Sequence, residues 1–308
     1  MTGGDNLVRR LRRRARSLMD RVLRRIAGRR GFDLIRRSPY SPVPHLPPPG
    51  SREWGPKHSL AGLELDLQSQ LEWLRRHLGP FLPELSGPVD RPAGGGFFLR
   101  NGYYGGIDAM LLHALVRHAR PRRIIEVGGG YSTLVLAGAS LRNAAEGSPC
   151  TLLSIDPEPR LELPAELAAA VRRERRSAAD MTVEDFSALE PGDILFIDSS
   201  HTVKRGSEVN FLVLEVLPRL RSGVFVHFHD IFLPYDYPQE WLRRGTFLAE
   251  QYLVHAFLIG HPGFEVRLAA HALFRGHGDE LRAALPPLPT GMLAPAAFWL
   301  RRRERHST

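Results

Sequence analysis

The sequence predicts an α/β fold: a Rossmann-like, doubly wound and mostly parallel sheet with helices on both faces and an N-terminal helical appendage. From residue 122 onward, apolar strand-like runs alternate with helical segments, which is typical of a parallel sheet covered on both faces. Four of these runs end in polar residues. Ligands of open parallel sheets bind beyond the carboxyl ends of the strands, so the sequence predicts one site there. The four runs span residues 123–133, 152–157, 193–201 and 224–230.

Composition restricts the class of protein. The chain has 308 residues, of which 43% are hydrophobic, enough for a substantial core. Its single cysteine, Cys150, permits no intrachain disulfide and no cysteine-rich zinc site, which favours a reducing compartment with the cytoplasm as the default. No apolar stretch approaches the roughly 18 residues that a membrane span requires. The sequence therefore predicts an enzyme-sized α/β protein without a transmembrane segment.

The net charge of +9 is concentrated in a leader, residues 1–37. This segment contains 13 arginines and three aspartates, a net charge of +10, and leaves 29 basic and 30 acidic side chains for the rest of the chain. Apolar residues recur in the leader at helical spacing, with arginines on the other face. The pattern predicts a basic amphipathic helix. The apolar positions are Val8, Leu11, Ala15, Leu18, Val22 and Ile26.

Such a leader has several uses. It could lie on an anionic membrane surface, which would place the protein peripherally at the inner face of a membrane, or dock on an acidic partner. It could equally be a solvated extension, since isolated helices of this length are marginally stable in water. Nucleic acid is disfavoured, because the rest of the chain has no basic stripe or aromatic stacking motif.

Four segments follow the leader. Proline density predicts a semi-rigid linker, and spaced leucines from Leu60 to Leu78 predict an amphipathic helix ended by Gly79 and Pro80. A glycine-rich aromatic stretch after it suits a lid or a plug at the domain edge. The segments are a linker at 38–58, a helical cap and glycine/aromatic lid at 59–106, the α/β domain at 107–285, and a proline-rich, basic tail at 286–308.

The first strand ends in a turn that favours a cationic ligand. Dinucleotide-binding turns read G-x-G-x-x-G, and Thr133 stands at the position of the third glycine. Glu126 adds a negative charge that would repel a pyrophosphate. Three consecutive glycines indicate close approach of a ligand to the backbone. A cofactor with an ammonium and a sulfonium fits this turn better than a dinucleotide.

These motifs resemble the class I S-adenosylmethionine-dependent methyltransferases, and in particular the small-molecule O-methyltransferase branch called methyltransferase type 24. The resemblance covers about residues 90–270 and depends on the E-x-G-x-G-x-S/T turn, the acidic end of the second strand and the D-x-x-H motif. It implies that Asp156 binds both ribose hydroxyls and that Asp180 lies near the adenine. It further implies that the cofactor's amino-acid part is approached by Glu126, Gly128, Gly129 and Gly130, with Ser132 or Thr133 capping the next helix.

The reaction chemistry is expected at the ends of the fourth and fifth strand runs. Asp198, His201, His229 and Asp230 should face one small volume there. The set resembles metal-dependent sugar O-methyltransferases of macrolide pathways, which implies His201 as general base and Asp198, His229 and Asp230 as ligands of Mg or Mn. His229 departs from that family, where an acid stands. Two alternatives need no metal: a strand-end cluster of His229 and Asp230 joined by hydrogen bonds, and a metal-free acid–base pair of His201 with His229.

The sequence therefore predicts transfer of a methyl group from S-adenosylmethionine (SAM) to an oxygen of a small molecule or glycan. Two alternatives stay open: an NAD-type oxidoreductase, and a non-catalytic scaffold recruited through its basic leader. An aromatic, proline-rich segment at 231–238, with Trp241, is placed to shape an acceptor pocket. Packing of this loop against the last helix is the equal alternative. His227 is expected to be a core histidine.

Overall fold

The computed structural model describes residues 19–35, 38, 41, 43–44, 59–85, 87–93, 95–289, 292 and 294–304. The chain forms two compact units, Met1–Gly50 and Ser51–Thr308. In the first unit, residues 19–28 form helix α1. The predicted helical positions before residue 19 and most of the proline-rich linker lie outside the described residues.

The second unit is built on a seven-stranded sheet with the order β3-β2-β1-β4-β5-β7-β6. Strands β1 to β5 pair in parallel, and β7 is antiparallel to both of its neighbours. This confirms the predicted fold class. The strands are β1 (Arg123–Val127), β2 (Thr151–Ile155), β3 (Val171–Glu174), β4 (Ile194–Ile197), β5 (Phe225–Phe228), β6 (Phe264–Ala269) and β7 (Phe298–Arg302).

Helices cover both faces of this sheet. Ile124 and Ile125 are neighbours in β1 yet belong to two different buried apolar clusters, because successive strand residues point to opposite faces. Helices α3 and α4 contribute to one cluster, and α6 and α9 to the other. The helices are α2 (Leu67–Trp73), α3 (Gly106–Ala119), α4 (Tyr131–Ala145), α5 (Ala165–Ala168), α6 (Val183–Ser187), α7 (Glu208–Phe211), α8 (Gln239–Arg243), α9 (Glu250–Leu258), α10 (Ala270–Gly276) and α11 (Gly278–Ala284).

The leucine-rich segment differs from its prediction at both ends. Helix α2 begins at Leu67, not at Leu60, because Asp66 caps it by accepting a hydrogen bond from the Ser69 backbone N–H. The chain then widens into a π-helical turn, Leu74–Leu78, and tightens into a 3₁₀ helix, Gly79–Glu84. Pro80 is tolerated because it stands in the first turn of the 3₁₀ helix, where its missing N–H has no helical partner to lose.

The structure corrects the prediction of a C-terminal tail at residues 286–308. Residues 298–302 form β7, which lies between β5 and β6 in the sheet. The run from Ala296 to Leu300 is apolar and fully buried, so it behaves as a central strand despite its basic neighbours. The α/β domain therefore extends past residue 285.

None of the helices among the described residues combines the length and the apolar composition that crossing a bilayer demands.

Candidate active site

A cavity of about 750 Å³ opens at the carboxyl ends of β1, β2 and β4. This is where the strand order reverses, between β1 and β4, and where open α/β sheets bind their ligands. All four predicted strand ends reach this edge, and three of them line the cavity. The lining residues include Gly128, Gly129, Gly130, Tyr131, Ser132, Asp156, Pro157, Ser177, Ala178, Asp198, Ser199, Tyr103 and Tyr104.

The glycine turn is held from two sides. Gly128 has a φ of +88°, and a Cβ there would lie 1.7 Å from the carbonyl oxygen of Asp198, so only glycine fits between the ends of β1 and β4. The Gly129 N–H donates to Asp156 Oδ2 at 2.9 Å, which ties the turn to the end of β2. The turn is thus fixed by its own neighbours before any ligand binds.

Gly130 leads into α4 and is the most open of the three glycines. Its N–H donates to Thr133 Oγ1 at 3.0 Å, and a Cβ at Gly130 would meet no atom within 4 Å. Of the two predicted capping residues, Thr133 is therefore the one whose side chain caps α4. Ser132, by contrast, is buried and donates from Oγ to Glu126 Oε1 at 2.8 Å.

Glu126 lies below the turn and does not line the cavity, unlike its predicted place beside the ligand. It is fully buried, and its second carboxylate oxygen accepts a 2.7 Å hydrogen bond from Thr133 Oγ1. Burial raises the pKa of Glu126 to about 7, against the hydrogen bonds from neighbouring hydroxyls, which lower it. Its observed contacts are with the residues that support the glycine turn.

The two predicted nucleoside contacts separate in the structure. Asp156 lines the cavity, and its Oδ1 accepts a 2.7 Å hydrogen bond from the Glu158 N–H. Asp180 is exposed and does not line the cavity, because the 3₁₀ turn Ala178–Asp180 directs Ala178 inward and leaves its last residue in solvent. Ser177 and Ala178 stand at the cavity wall in its place.

Asp198 connects the cavity to a buried acid–base cluster. His201 Nε2 lies 3.2 Å from Asp198 Oδ1 and 3.6 Å from Asp230 Oδ2. On the other side of the ring, His201 Nδ1 lies 2.8 Å from Glu250 Oε2, and Glu250 is fully buried. Asp198, His201 and Glu250 therefore form one continuous array that runs from the cavity wall into the core.

His229 lies between carboxylates on both of its ring nitrogens. His229 Nε2 is 3.5 Å from Asp108 Oδ2, and Nδ1 is 3.5 Å from Asp198 Oδ1 and 3.6 Å from Asp230 Oδ1. Asp108 is itself anchored by the backbone N–H groups of Ala296 and Ala297. His229 thus joins α3, β5 and the segment before β7, and it stands behind Asp198 instead of in the cavity wall.

The cluster perturbs the acidity of its members. Burial lowers the pKa of His201, but hydrogen bonds to Asp198 and Glu250 outweigh it and raise that pKa to about 10. Burial raises the pKa of Asp198, yet the adjacent His229 and His201 hold it well below its usual range. Burial raises the pKa of Asp230 and of Glu250. Asp198 is therefore an ionised carboxylate at the cavity wall.

His227 lies in the core. It is fully buried, its ring stacks on Phe196, and its Nε2 lies 3.3 Å from the Tyr104 hydroxyl. Burial lowers its pKa well below the usual value, so the ring is neutral. Tyr104 comes from the glycine-rich aromatic stretch and is buried, whereas its neighbour Tyr103 is 77% exposed at the cavity. Both tyrosines line the cavity, Tyr104 as a buried residue of the core and Tyr103 as an exposed one.

Residues 125–231 match a family model described as a methyltransferase domain of type 24. This segment is therefore similar to the methyltransferase domains that the family model describes. The resemblance seen in the sequence motifs is thereby confirmed. No curated protein matches the chain significantly.

Solved structures similar to the chain include methyltransferases at low identity. An apo-structure of CmcI is 16% identical, with a TM-score of 0.41, and the match covers 71% of this chain and 86% of that chain. A structure of CmcI with Mg and SAM is 17% identical, with a TM-score of 0.37 and the same coverage. The O-methyltransferase from Bacillus cereus in complex with SAH is 16% identical, with a TM-score of 0.33, covering 79% of this chain and 93% of that chain.

The methyltransferase domain does not arrange its predicted metal ligands as a metal site. Among the residues that the structure describes, no group of three or more His, Cys, Asp or Glu side chains could hold a metal ion. Asp198, His229 and Asp230 lie together, with His229 Nδ1 at 3.5 Å from Asp198 Oδ1 and at 3.6 Å from Asp230 Oδ1. Metal assistance stays a prediction.

The aromatic loop of the methyltransferase domain packs on itself. Phe232 and Tyr237 form a small apolar cluster with Trp241, and none of the three lines the cavity. Gln251 fixes the loop to α9: its side-chain Oε1 accepts from the Phe232 N–H, and its own N–H donates to the Tyr237 hydroxyl. The structure thus shows this loop packed on itself and on α9, whereas the predicted alternative was packing on the last helix. Its part in an acceptor pocket stays a prediction.

Proposed function

We propose that the methyltransferase domain transfers a methyl group from SAM to an oxygen of a small molecule or glycan. The observation that carries this proposal is Asp198, which lines the cavity and at the same time contacts His201. One carboxylate thereby links the space for a ligand to a buried base. The same edge of the sheet holds the glycine turn and Asp156.

The cavity fits such a cofactor. Its volume of about 750 Å³ lies within the roughly 300–1,000 Å³ of typical small-molecule sites. Each carboxylate oxygen of Asp156 accepts one backbone hydrogen bond and retains a lone pair for a ribose hydroxyl. The amino end of the 15-residue helix α4 opens onto the cavity at Gly130, where backbone N–H groups favour a carboxylate. When bound, SAM supplies an electrophilic methyl group.

Three residues would then prepare the acceptor oxygen. Asp198, ionised at the cavity wall, accepts a hydrogen bond from the acceptor hydroxyl and orients it. The proton then passes through Asp198 to His201 Nε2, the ring nitrogen that faces this carboxylate. Glu250 holds the opposite nitrogen and fixes the ring plane, so it acts as a positioning residue.

Product formation tests this proposal directly. Release of S-adenosylhomocysteine should be measured over sugar and phenolic acceptors, and calorimetric titration should compare SAM with NAD. Binding of NAD in preference to SAM would contradict the proposal. Binding of SAM without turnover on any acceptor would favour the scaffold alternative. The same assay with EDTA, with magnesium and with manganese tests metal assistance.

Replacing Asp156 with alanine should weaken SAM binding by several-fold to a hundredfold, measured by calorimetric titration. The physical reason is the loss of charge-assisted hydrogen bonds to the ribose, each worth about 1.5–3 kcal/mol before compensation. Release of the Gly129 N–H, which Asp156 Oδ2 accepts, adds to the effect by loosening the turn.

Asp156→Asn is the matched control, because it keeps the size of the side chain and one accepting oxygen. We expect it to lose less affinity than the alanine variant. Unchanged SAM affinity in a folded Asp156→Ala protein would remove this residue from the site.

Turnover should rise with pH through the alkaline range. A general base must be neutral, and the pKa of His201 is raised to about 10, so the neutral fraction increases tenfold per pH unit below that value. Glu250→Gln removes one of the charges that raise the pKa and should move the rise to lower pH. The measurement is the pH profile of the turnover rate for both proteins.

A merely structural Glu250 would give a different result. In that case Glu250→Gln would lower the melting temperature and leave the position of the pH profile unchanged. Two results would contradict this role of the array. One is a pH profile of Glu250→Gln that coincides with that of the wild type. The other is a wild-type turnover rate that rises near the ordinary pKa of histidine.

A further inference from the structure

The first compact unit presents an apolar helix face to solvent. In α1, Met19, Val22, Leu23 and Ile26 recur at the spacing i, i+3, i+4, i+7, and they are 61%, 50%, 48% and 51% exposed. At 100° per residue these four side chains lie within an arc of about 100°. The apolar surface continues after the helix through Phe32, Leu34 and Ile35, which are also exposed.

The opposite face of the same helix is cationic. Arg21, Arg24 and Arg25 point away from the apolar arc by the same helical geometry, and Arg29 and Arg30 follow in the turn after the helix. All five arginines are exposed. Asp20 and Asp33 are the acidic residues of the described stretch 19–35, which gives it a net charge of +3.

We infer that α1 docks on the surface of an anionic lipid bilayer. An amphipathic helix lying in the interface plane buries its apolar face about 5–10 Å deep and leaves its basic face among the headgroups. A nucleic acid, or an acidic protein surface without an apolar groove, would pair with the arginines but leave Leu23 and Ile26 in water. A second copy of the helix would cover the apolar faces but leave both cationic faces, which point outward from such a pair, without anionic partners. An anionic bilayer offers an apolar interior and anionic headgroups along the whole helix, so it satisfies both faces.

The inference concerns attachment and is independent of the methyl transfer. Docking through α1 would hold the methyltransferase domain near a membrane surface, tethered by the chain after residue 37. Long arginine side chains suit this geometry, because their stems lie along the apolar boundary while their guanidinium groups reach the phosphates.

The test is co-sedimentation of the full-length protein with vesicles of phosphatidylcholine alone and of phosphatidylcholine with about one-quarter phosphatidylglycerol. We expect binding to the anionic vesicles, weakened by salt because the contacts lie at the surface. Arg24→Gln with Arg25→Gln should weaken binding about 30-fold, at about fivefold per arginine. Arg24→Lys with Arg25→Lys, which keeps the charge, should leave binding within a few-fold of wild type.

The apolar face has its own matched pair of variants. Leu23→Ser with Ile26→Ser should weaken vesicle binding at least tenfold, because two apolar side chains no longer enter the bilayer. Leu214→Ser with Ile259→Ser changes two side chains of similar exposure, 52% and 47%, in the other unit and should have no effect. Thermal melting should be the same for all four variants, since none of the changed residues is buried.

Three results would overturn the inference. The first is equal binding to neutral and anionic vesicles. The second is a Leu23→Ser, Ile26→Ser protein that binds anionic vesicles as well as wild type does, which would reduce the contact to charge alone. The third is tighter binding to polyglutamate or to duplex DNA than to anionic vesicles at about 0.15 M salt, which would assign the arginines to a protein or nucleic-acid partner.

Discussion

Replacing His201 with asparagine should lower the turnover rate about 100- to 10,000-fold and leave SAM affinity close to that of the wild type. The range is that of removing a general base, and ground-state binding survives because His201 does not line the cavity. Asparagine is chosen because His201 has a φ of +52°, a left-handed conformation that asparagine tolerates better than alanine. The measurements are single-turnover rates with excess enzyme and calorimetric titration with SAM.

His229 provides the comparison for His201. Both ring nitrogens of His229 face carboxylates that tie three elements together, so His229→Asn should lower the melting temperature more than His201→Asn does. Full turnover in a folded His201→Asn protein would show that the base assignment is wrong. If both variants lose turnover only in proportion to lost folded protein, the cluster is structural.

The main features of the fold were accessible from the sequence. Four of the five parallel strands are short apolar runs that end in polar groups, such as Asp156 after β2 and Asp198 after β4, and the carboxyl ends of parallel strands meet at one edge. The order of these runs along the chain therefore predicted the edge of the sheet at which the cavity opens. The exceptions were β3, which reads Val-Arg-Arg-Glu, and the antiparallel pair of β6 and β7, which joins the sheet at a position that local pattern cannot reveal.

Two of the six members of the acid–base cluster were not predicted from the sequence. Asp108 lies in α3 and Glu250 in α9, and neither belongs to a strand-end motif. Glu250 reaches His201 across 49 residues of sequence, and Asp108 reaches Ala296 across 188. Only the packing of these helices on the sheet brings the carboxylates to the histidines. The sequence nevertheless held a signal, because Asp108 and Glu250 stand within apolar helical segments. Charged residues in such segments are seldom buried without a partner.

Glu126 and Asp180 were predicted to contact the ligand, but neither lines the cavity. The family resemblance implied that both residues contact the ligand, but spacing along the chain does not give the depth of a side chain in the fold. Glu126 lies one residue inside the end of β1, and the hydroxyls of Ser132 and Thr133 donate hydrogen bonds to its carboxylate. Asp180 ends a single 3₁₀ turn and faces solvent. Both outcomes depend on local geometry that the residue pattern leaves undetermined.

The three glycines of the turn can be told apart by experiment. In sequence they are equivalent, and all were expected to admit a ligand. In the structure, Gly128 is required by the protein itself, since its Cβ would overlap the Asp198 backbone. Gly130 has an extended backbone with a φ of −175° and open space toward the cavity. We therefore expect Gly128 to matter for folding and Gly130 to matter for ligand binding.

Replacing Gly128 with alanine should lower the free energy of unfolding by about 2–5 kcal/mol. The left-handed conformation costs an alanine about 1–2 kcal/mol, and overpacking against a backbone atom adds about 1–3 kcal/mol. The contact is with a carbonyl oxygen, so β1 and β4 must separate where Asp198 is held, and SAM binding should be lost as well. Denaturant unfolding and calorimetric titration measure the two effects.

Gly130→Ala separates those two effects. Its Cβ would meet no protein atom within 4 Å, so we expect the free energy of unfolding to change by less than about 1 kcal/mol. The added methyl group nevertheless projects at the cavity wall and should weaken SAM binding. Equal destabilisation by both substitutions would contradict the close approach between Gly128 and Asp198. Unchanged SAM affinity in Gly130→Ala would instead place the cofactor away from the glycine turn, while leaving the structural role of Gly128 intact.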